Sequence, residues 1–402
     1  MIMNKKIISD FPQIKNDYIY FDTAATSLKP KAVIEAVNMY NEILSANIHR
    51  GMYFNSVKTT ELYEEARSVV AKFINAKEDE IVFTRGTTSS INLVAYSYGL
   101  VNLKPGDEII VSEQEHHSQF LPWQNVAKKT GAKLRFVELN SEGKITIEMF
   151  KKVLNDKTKV VALNYVSNVL GYINDIKEIA QLTHQKNAII VVDAAQAIQH
   201  IKVDVVDLDV DFLAFSGHKM LGPTGVGILY GKSRHLDILE PMEFGGDMNE
   251  DVEKTESTWK KSPLKFEAGT MPIAEVIGLK EAITYLENLG LENIHSYSMN
   301  LYQYLQNEIS KIEGITVYNP NSDTGILTYN IDSVPAHDAI TYYAEKNIAL
   351  RSGQHCAKLI HDFLNIHSSL RVTVYFYNTK EEIDRFIEVT KEAIKYFKSV
   401  GF

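Results

Sequence analysis

The chain has 402 residues, room for two or three domains of roughly 150 residues each and for a core that needs neither disulfides nor structural metal. Its 42 Lys and Arg against 51 Asp and Glu leave a formal charge of −9, which excludes a global basic field for holding nucleic acid. A single cysteine, Cys356, excludes an intramolecular disulfide and any metal site built from several thiolates, so no metal is expected.

At the N-terminus Lys5 and Lys6 are followed by Ser9 and Asp10, which interrupt the apolar stretch a signal peptide requires. The longest aliphatic run, 188–192, is far shorter than the roughly 20 residues of a membrane span. A cytoplasmic protein with no membrane contact is expected. Short β-rich runs at 80–83, 108–111, 133–137, 159–163, 188–192 and 225–230 alternate with helical or polar stretches. That rhythm predicts an α/β domain with a largely parallel sheet, covered by helices on both faces and carrying its chemistry at the C-terminal strand ends. A helical pattern over 274–289 stops at Gly290. Beyond it, a strand-like 325–330, a loop around Cys356 and an amphipathic helix from about Glu381 read as a smaller α+β domain. The expected division is a large domain over 21–290 and a small one made of 1–20 and 291–402.

Several residues in these elements carry chemistry. Lys219 lies in a small-residue loop after an apolar run, where burial can make its amine nucleophilic; an isolated lysine is otherwise a solvated one. Asp193 ends a buried-looking strand, either as a helix cap or as the partner of a buried cation such as a protonated pyridine. Together they suit pyridoxal phosphate. The run from Arg85 through Thr87 and Thr88 opens a helix and forms either a phosphate cradle or a plain capping turn. His116 can lie over an aromatic cofactor or be structural. Cys356 follows Arg351 and His355, which can stabilise a thiolate, although a lone cysteine is commonly a packed one. Arg371 can grip a carboxylate or serve a salt bridge.

These residues sit in a series of motifs: Tyr20-Phe-Asp-Thr-Ala-Ala-Thr-Ser27, Asn47-Ile-His-Arg-Gly51, Arg85-Gly-Thr-Thr88, Glu115-His-His117, Ser167-Asn-Val-Leu-Gly171, Val192-Asp-Ala-Ala-Gln196, Ser216-Gly-His-Lys219, Phe266-Glu-Ala-Gly-Thr270, Arg351-Ser-Gly-Gln-His-Cys356 and Tyr377-Asn-Thr379. In that order they resemble the class V, fold type I pyridoxal phosphate enzymes, and within them the SufS-like group II cysteine desulfurases. The resemblance implies a mainly parallel seven-stranded sheet in the large domain and pyridoxal 5'-phosphate held covalently by Lys219. Asp193 would pair with the ring nitrogen, His116 would stack on the ring and Gln196 would bond its phenolic oxygen. Thr87, Thr88, Ser216 and His218 would bind the phosphate, with Thr270 reaching the phosphate of a partner subunit in a homodimer with shared sites. Arg371, Asn168, Arg351 and His49 would surround the substrate.

By the same resemblance L-cysteine would become L-alanine and leave a persulfide on Cys356, with Lys219 moving the Cα proton and His116 acting as an acid. A SufE-like or SufU-like acceptor would take the sulfur for iron–sulfur cluster assembly or related transfer. Gln354, Gln119 and Met271 depart from the family's usual His, Asn and Pro. The first removes a possible proton carrier near the thiol, and the other two bear on the pocket edge and the dimer contact. A selenocysteine lyase, with little need for Cys356, and a non-catalytic sulfur-relay scaffold are the alternative readings.

Overall fold

The computed structural model describes residues 5–14 and 18–401. Residues 1–4 and 15–17, part of the segment 1–20 expected in the smaller domain, lie outside the described residues. Seven strands form the larger sheet in the order Ile81–Thr84, Gly227–Gly231, Phe212–Ser216, Ile189–Asp193, Thr158–Asn164, Glu108–Ser112 and Lys133–Val137. The last five pair in parallel, whereas Gly227–Gly231 runs antiparallel to both of its neighbours. These two reversals return Ile81–Thr84 to the direction of the parallel set. Thr84, Ser112, Asn164, Asp193 and Ser216 therefore end on one edge of the sheet.

The strands read as unbroken apolar runs because alternate residues feed two separate cores. Ile190, Val192, Leu213 and Phe215 join a cluster with Val276 and Ile283 of helix Ile273–Leu289. Ile189, Val191, Phe212 and Leu229 join another with Trp123 and Val126 of helix His117–Thr130. The edge strand Lys133–Val137 is mostly exposed, which accommodates its Lys133 and Arg135.

A second sheet, antiparallel throughout, has the order Ile315–Val317, Ile326–Ile331, Ser369–Thr373, Arg351–Gly353. Leu327, Tyr329, Leu370 and Val372 pack on Phe386, Ile394 and Phe397 of helix Lys380–Ser399. That helix opens on a reciprocal cap: the Thr379 side chain accepts from Glu382 N–H, and the Glu382 carboxylate accepts from Thr379 N–H. Strand Ile19–Tyr20 pairs with Ile348–Ala349, tying the N-terminal segment to this second unit. Gly290, with φ 79, ends helix Ile273–Leu289 where the sequence marks a C-cap. Among the described residues no helix is long and apolar enough to cross a membrane.

Candidate active site

The common strand edge of the large sheet faces the second sheet across a cavity of about 450 Å³. One wall is built by strand ends. Asp193 terminates Ile189–Asp193, and Ser216 terminates Phe212–Ser216, from which a tight turn, Gly217–Lys219, carries His218 and Lys219 into the cavity. Among the described residues the Asp193 carboxylate accepts one hydrogen bond, from Ala195 N–H at 2.9 Å. Burial pushes its pKa up, while nearby Lys219 pulls it down. Burial lowers the Lys219 ammonium to about 8, partly offset by Asp193.

An anion cradle lies beside the lysine. After Thr84 the chain turns through Gly86, with φ 148, into helix Thr87–Val94. Thr87 N–H donates to Ser216 Oγ at 2.8 Å, and the two hydroxyls lie 2.7 Å apart. Thr88 Oγ1 is 2.6 Å from Ser118 Oγ. This close approach depends on Gly227: a Cβ there would lie 2.3 Å from Gly86 Cα. Burial and Lys219 lower His218 to about 4, so its imidazole is neutral. Its carbonyl accepts from Ser27 N–H and from Lys29 Nζ, both at 3.0 Å, which packs the Tyr20–Ser27 motif over the lysine turn.

His116 caps helix His117–Thr130 with its own side chain, Nδ1 accepting from Ser118 N–H at 3.1 Å. Its proton is thereby assigned to Nε2. Burial, with Lys219 nearby, lowers it to about 3, so it is a neutral donor at physiological pH.

The opposite wall comes from the second sheet. Arg351 and Arg371 sit directly across from each other in paired strands, and Asp22 lies between them, 2.9 Å from Arg351 Nη2 and 3.5 Å from Arg371 Nη2. Arg371 Nη1 donates to Asn168 O at 2.8 Å, while its buried Nε has no hydrogen-bond partner among the described residues. Burial lowers this guanidinium to about 10 despite Asp22. Asn168 also donates to His355 O at 2.8 Å. His355 and Cys356 both have left-handed backbones, φ 50 and 55, a conformation costing roughly 1 kcal/mol per non-glycine residue. The loop is held by His117 N–H donating to Cys356 O at 2.7 Å and Lys358 N–H donating to His117 Nε2 at 3.2 Å. The Cys356 thiol is exposed and lines the same cavity as Lys219, Arg351 and Arg371.

Eleven expected site residues therefore line one cavity: Thr87, Thr88, His116, Asn168, Asp193, Ser216, His218, Lys219, Arg351, Cys356 and Arg371. Three do not. Gln196 turns its Nε2 to Ala24 O at 2.7 Å and accepts from Gln199. Thr270 and Met271 line a separate cavity of about 410 Å³ with Arg85 and Glu243. His49 contacts Glu64 at 3.0 Å. Gln119, expected to bear on the pocket edge, is buried and donates to Val191 O at 2.8 Å. Asp22, Ser118 and Glu115 belong to the site or its support without having been singled out individually. Asp22 and Glu115 stand inside recognised motifs, which is the signal that marks them.

A cavity-facing lysine, a strand-end aspartate and a hydroxyl-lined helix start, set on a seven-stranded sheet, define a vitamin-B6-type transferase architecture. Residues 19–386 match the family described as aminotransferase class-V, and the chain belongs to that family. It is 48% identical over 383 residues to a probable cysteine desulfurase of Halalkalibacterium halodurans, with 95% of this chain and 94% of that one covered. Its fold is similar to the cysteine desulfurase CsdA of Escherichia coli in its S-sulfonic acid form, with a TM-score of 0.92 and 37% identity over 97% of this chain and 98% of that one. An apo cysteine desulfurase of Thermococcus onnurineus NA1 gives a TM-score of 0.94 and 39% identity over 98% and 99% of the two chains.

Proposed function

We propose that the protein is a cysteine desulfurase that works with pyridoxal 5'-phosphate, converting L-cysteine to L-alanine and a persulfide on Cys356. The observation that carries this reading is the opening of the only thiol of the chain into the cavity shared by Lys219, Asp193 and Arg371. The donor set suits that cofactor: a buried carboxylate with spare acceptor capacity for a pyridine N–H, an amine with lowered pKa for an aldehyde, and a Ser–Thr cradle at a helix start for a phosphate. When bound, the cofactor supplies an electron sink for negative charge at the substrate Cα.

The protein's own groups do the rest. Arg371, which lines the cavity, grips the substrate carboxylate, and Asn168 fixes that arginine to the Cys356 loop. Lys219, whose ammonium burial lowers to about 8 in the cofactor-free site, is the amine placed to carry the proton at Cα. His116, its proton held on Nε2, would lie against the cofactor ring and offer a neutral donor. The Cys356 thiolate attacks the substrate sulfur; an S–S bond forms as the Cβ–S bond breaks, the electron pair passing to the substrate carbon, which is protonated to alanine.

An acceptor protein of the SufE-like or SufU-like kind then takes the sulfur for cluster assembly or related transfer, a step supported by the exposure of Cys356. A homodimer with shared sites is part of the reading. It is supported by the exposed apolar residues Met52 and Phe54 and by the position of Thr270 away from the Lys219 cavity of its own chain. A reactive free thiol suits the reducing cytoplasm. Residues 21–290 serve as the cofactor-binding unit, and 1–20 with 291–402 as the unit carrying the thiol.

The test is alanine release from L-cysteine with reductant by the cofactor-loaded protein and its Cys356→Ser variant. Wild-type release that falls to background in the variant supports the desulfurase. A variant inactive on cysteine but active on selenocysteine, alongside a wild type inactive on cysteine, points to a selenocysteine lyase.

A further inference from the structure

His49 and Thr270 stay out of the Lys219 cavity, and the structure ties them to each other instead. Helix Phe54–Phe73 carries Glu64 and Arg67 on one face, three residues apart. His49 Nε2 lies 3.0 Å from Glu64 Oε1, and the other oxygen of Glu64 accepts from Arg67 Nε at 2.9 Å. Arg67 meets Glu267 fork to fork, Nη1 donating to Oε1 at 2.8 Å and Nη2 to Oε2 at 2.9 Å. Glu267 leads through Ala268 and Gly269 to Thr270. Further contacts close the path from the other side. Arg50 Nε is 2.5 Å from Asp247 Oδ1, and Gly246 O accepts from Gly269 N–H at 2.8 Å. The segments 49–50, 246–247 and 267–270 therefore form one closed circuit.

The centre of the circuit is its costly part. The side chains of Arg67 and Glu267 are only 3% and 2% exposed, and taking both charges out of water cancels much of what their attraction returns. An apolar pair of similar volume would stabilise the core as well, but it would not set a direction. The fork does: Arg67 Nη1 also donates to Ile81 O, and Glu267 Oε1 accepts from Phe83 N–H, both at 2.8 Å, so the pair is bolted to strand Ile81–Thr84 in one orientation. Burial raises the Glu64 carboxyl, but the bonds from His49 and Arg67 outweigh it and hold the group down to about 2. The path from His49 to Glu267 stays ionised at neutral pH.

Thr270 itself is exposed, and Met52, Phe54 and Phe244, close along the chain to the same segments, are exposed apolar side chains. The cavity that Thr270 lines shares Arg85, Ser89 and Glu243 with the outer side of the phosphate cradle. One face of the chain thus carries both a cradle and the circuit. In a two-fold contact made through such a face, the circuit of one copy meets the cradle of the other. We propose that the circuit is a preformed clamp that delivers His49 and Thr270 together to the Lys219 cavity of a second copy, with Arg67 and Glu267 as its positioning residues. The clamp rests on the homodimer reading above and adds to it the residues that hold the donated pair in place.

The test reads cofactor capture, not turnover. Borohydride fixes pyridoxal phosphate on Lys219, and intact mass then shows which chain is labelled. Homodimers of Glu267→Gln, which keeps an acceptor for Phe83 N–H, or of Arg67→Lys, which keeps the charge without the fork, should need about tenfold more cofactor for half-labelling than wild type. Each is then co-expressed with a differently tagged Lys219→Ala chain and the mixed dimer isolated. There the Lys219 of the variant chain faces the intact clamp of the other, and its labelling should return to the wild-type midpoint. Glu64→Gln, at the half-exposed end of the circuit, should repeat the pattern with a smaller loss and leaves the buried pair untouched. A loss that persists in the mixed dimers would place the clamp in its own chain's cavity and overturn the proposal, as would variant homodimers with the wild-type midpoint. Sedimentation of the wild type separates this from failure of the homodimer itself: a single-chain mass would overturn both, whereas a dimer whose loss persists on mixing overturns the clamp alone.

Discussion

Glu115 stands immediately before His116 with its carboxyl buried, one oxygen accepting from Ser112 Oγ at 2.6 Å and the other without a hydrogen-bond partner among the described residues. Burial, with Asp193 nearby, pushes this group from 4.5 up to about 8. A raised carboxyl means that the folded state holds its proton where the unfolded chain has released it, so stability falls as pH rises from about 4.5 to about 8. Glu115→Gln should remove that slope, a difference on the order of a few kcal/mol at the alkaline end, measurable as the pH dependence of thermal unfolding of the cofactor-free protein. A parallel slope in both proteins would show that Glu115 ionises freely. Gly227 gives a second test at this scale. Gly227→Ala must push the Gly86 turn off Ser216 and should weaken pyridoxal phosphate binding by about tenfold, roughly 1.4 kcal/mol, in an absorbance titration. The sequence marks Glu115 only by its place in the Glu115-His-His117 motif, which does not reveal a buried carboxyl, and the Gly227–Gly86 contact joins residues far apart in the chain.

Strand Ser369–Thr373 shows how one element serves core and site at once. Leu370 and Val372 enter the hydrophobic cluster, which leaves Ser369, Arg371 and Thr373 on the other face by simple alternation. Arg371 then falls opposite Arg351, a like-charge pair that is unfavourable by itself and is balanced by Asp22. Asp22→Asn should destabilise the protein by about 3 kcal/mol in urea unfolding, because it leaves Arg371 buried without its counter-charge. It should also alter the Michaelis constant for cysteine through the freed guanidinium. An unchanged urea midpoint would count against this account.

The helix over 274–289 is legible in the sequence as a periodic apolar pattern that ends in glycine, whereas Arg371 by itself reads equally as a carboxylate grip or a salt-bridge arginine and is singled out only by the resemblance. The helix is observed at Ile273–Leu289. The Arg67–Glu267 pair is not legible, since 200 residues separate its members and only the fold brings them together. Likewise Gln119 reads as a pocket-edge residue from its place after the histidine pair, but the helix turns it inward to Val191 O.

At the scale of the whole molecule, the rhythm of apolar runs was enough to anticipate a largely parallel sheet, while the antiparallel course of Gly227–Gly231 follows from pairing that no local pattern encodes. The sites expected to be shared lead to an assembly prediction. Sedimentation should give twice the 45.5 kDa chain mass, and Phe54→Asp, placing a charge on a side chain 78% exposed in the single chain, should yield monomers that bind cofactor poorly. A dimer unaffected by the charge would locate the contact elsewhere.

The insertion of Gly227–Gly231 between Ile81–Thr84 and Phe212–Ser216 also bears on how the protein acquires its chemistry. The turn at Gly86 has no floor until a strand made much later in the chain has slotted beside it. Because closing so long a loop is slow, capture of the coenzyme should lag behind the bulk of helix formation during renaturation. Colour would then develop as a late event in biosynthesis, reporting that the last long-range pairing has been made.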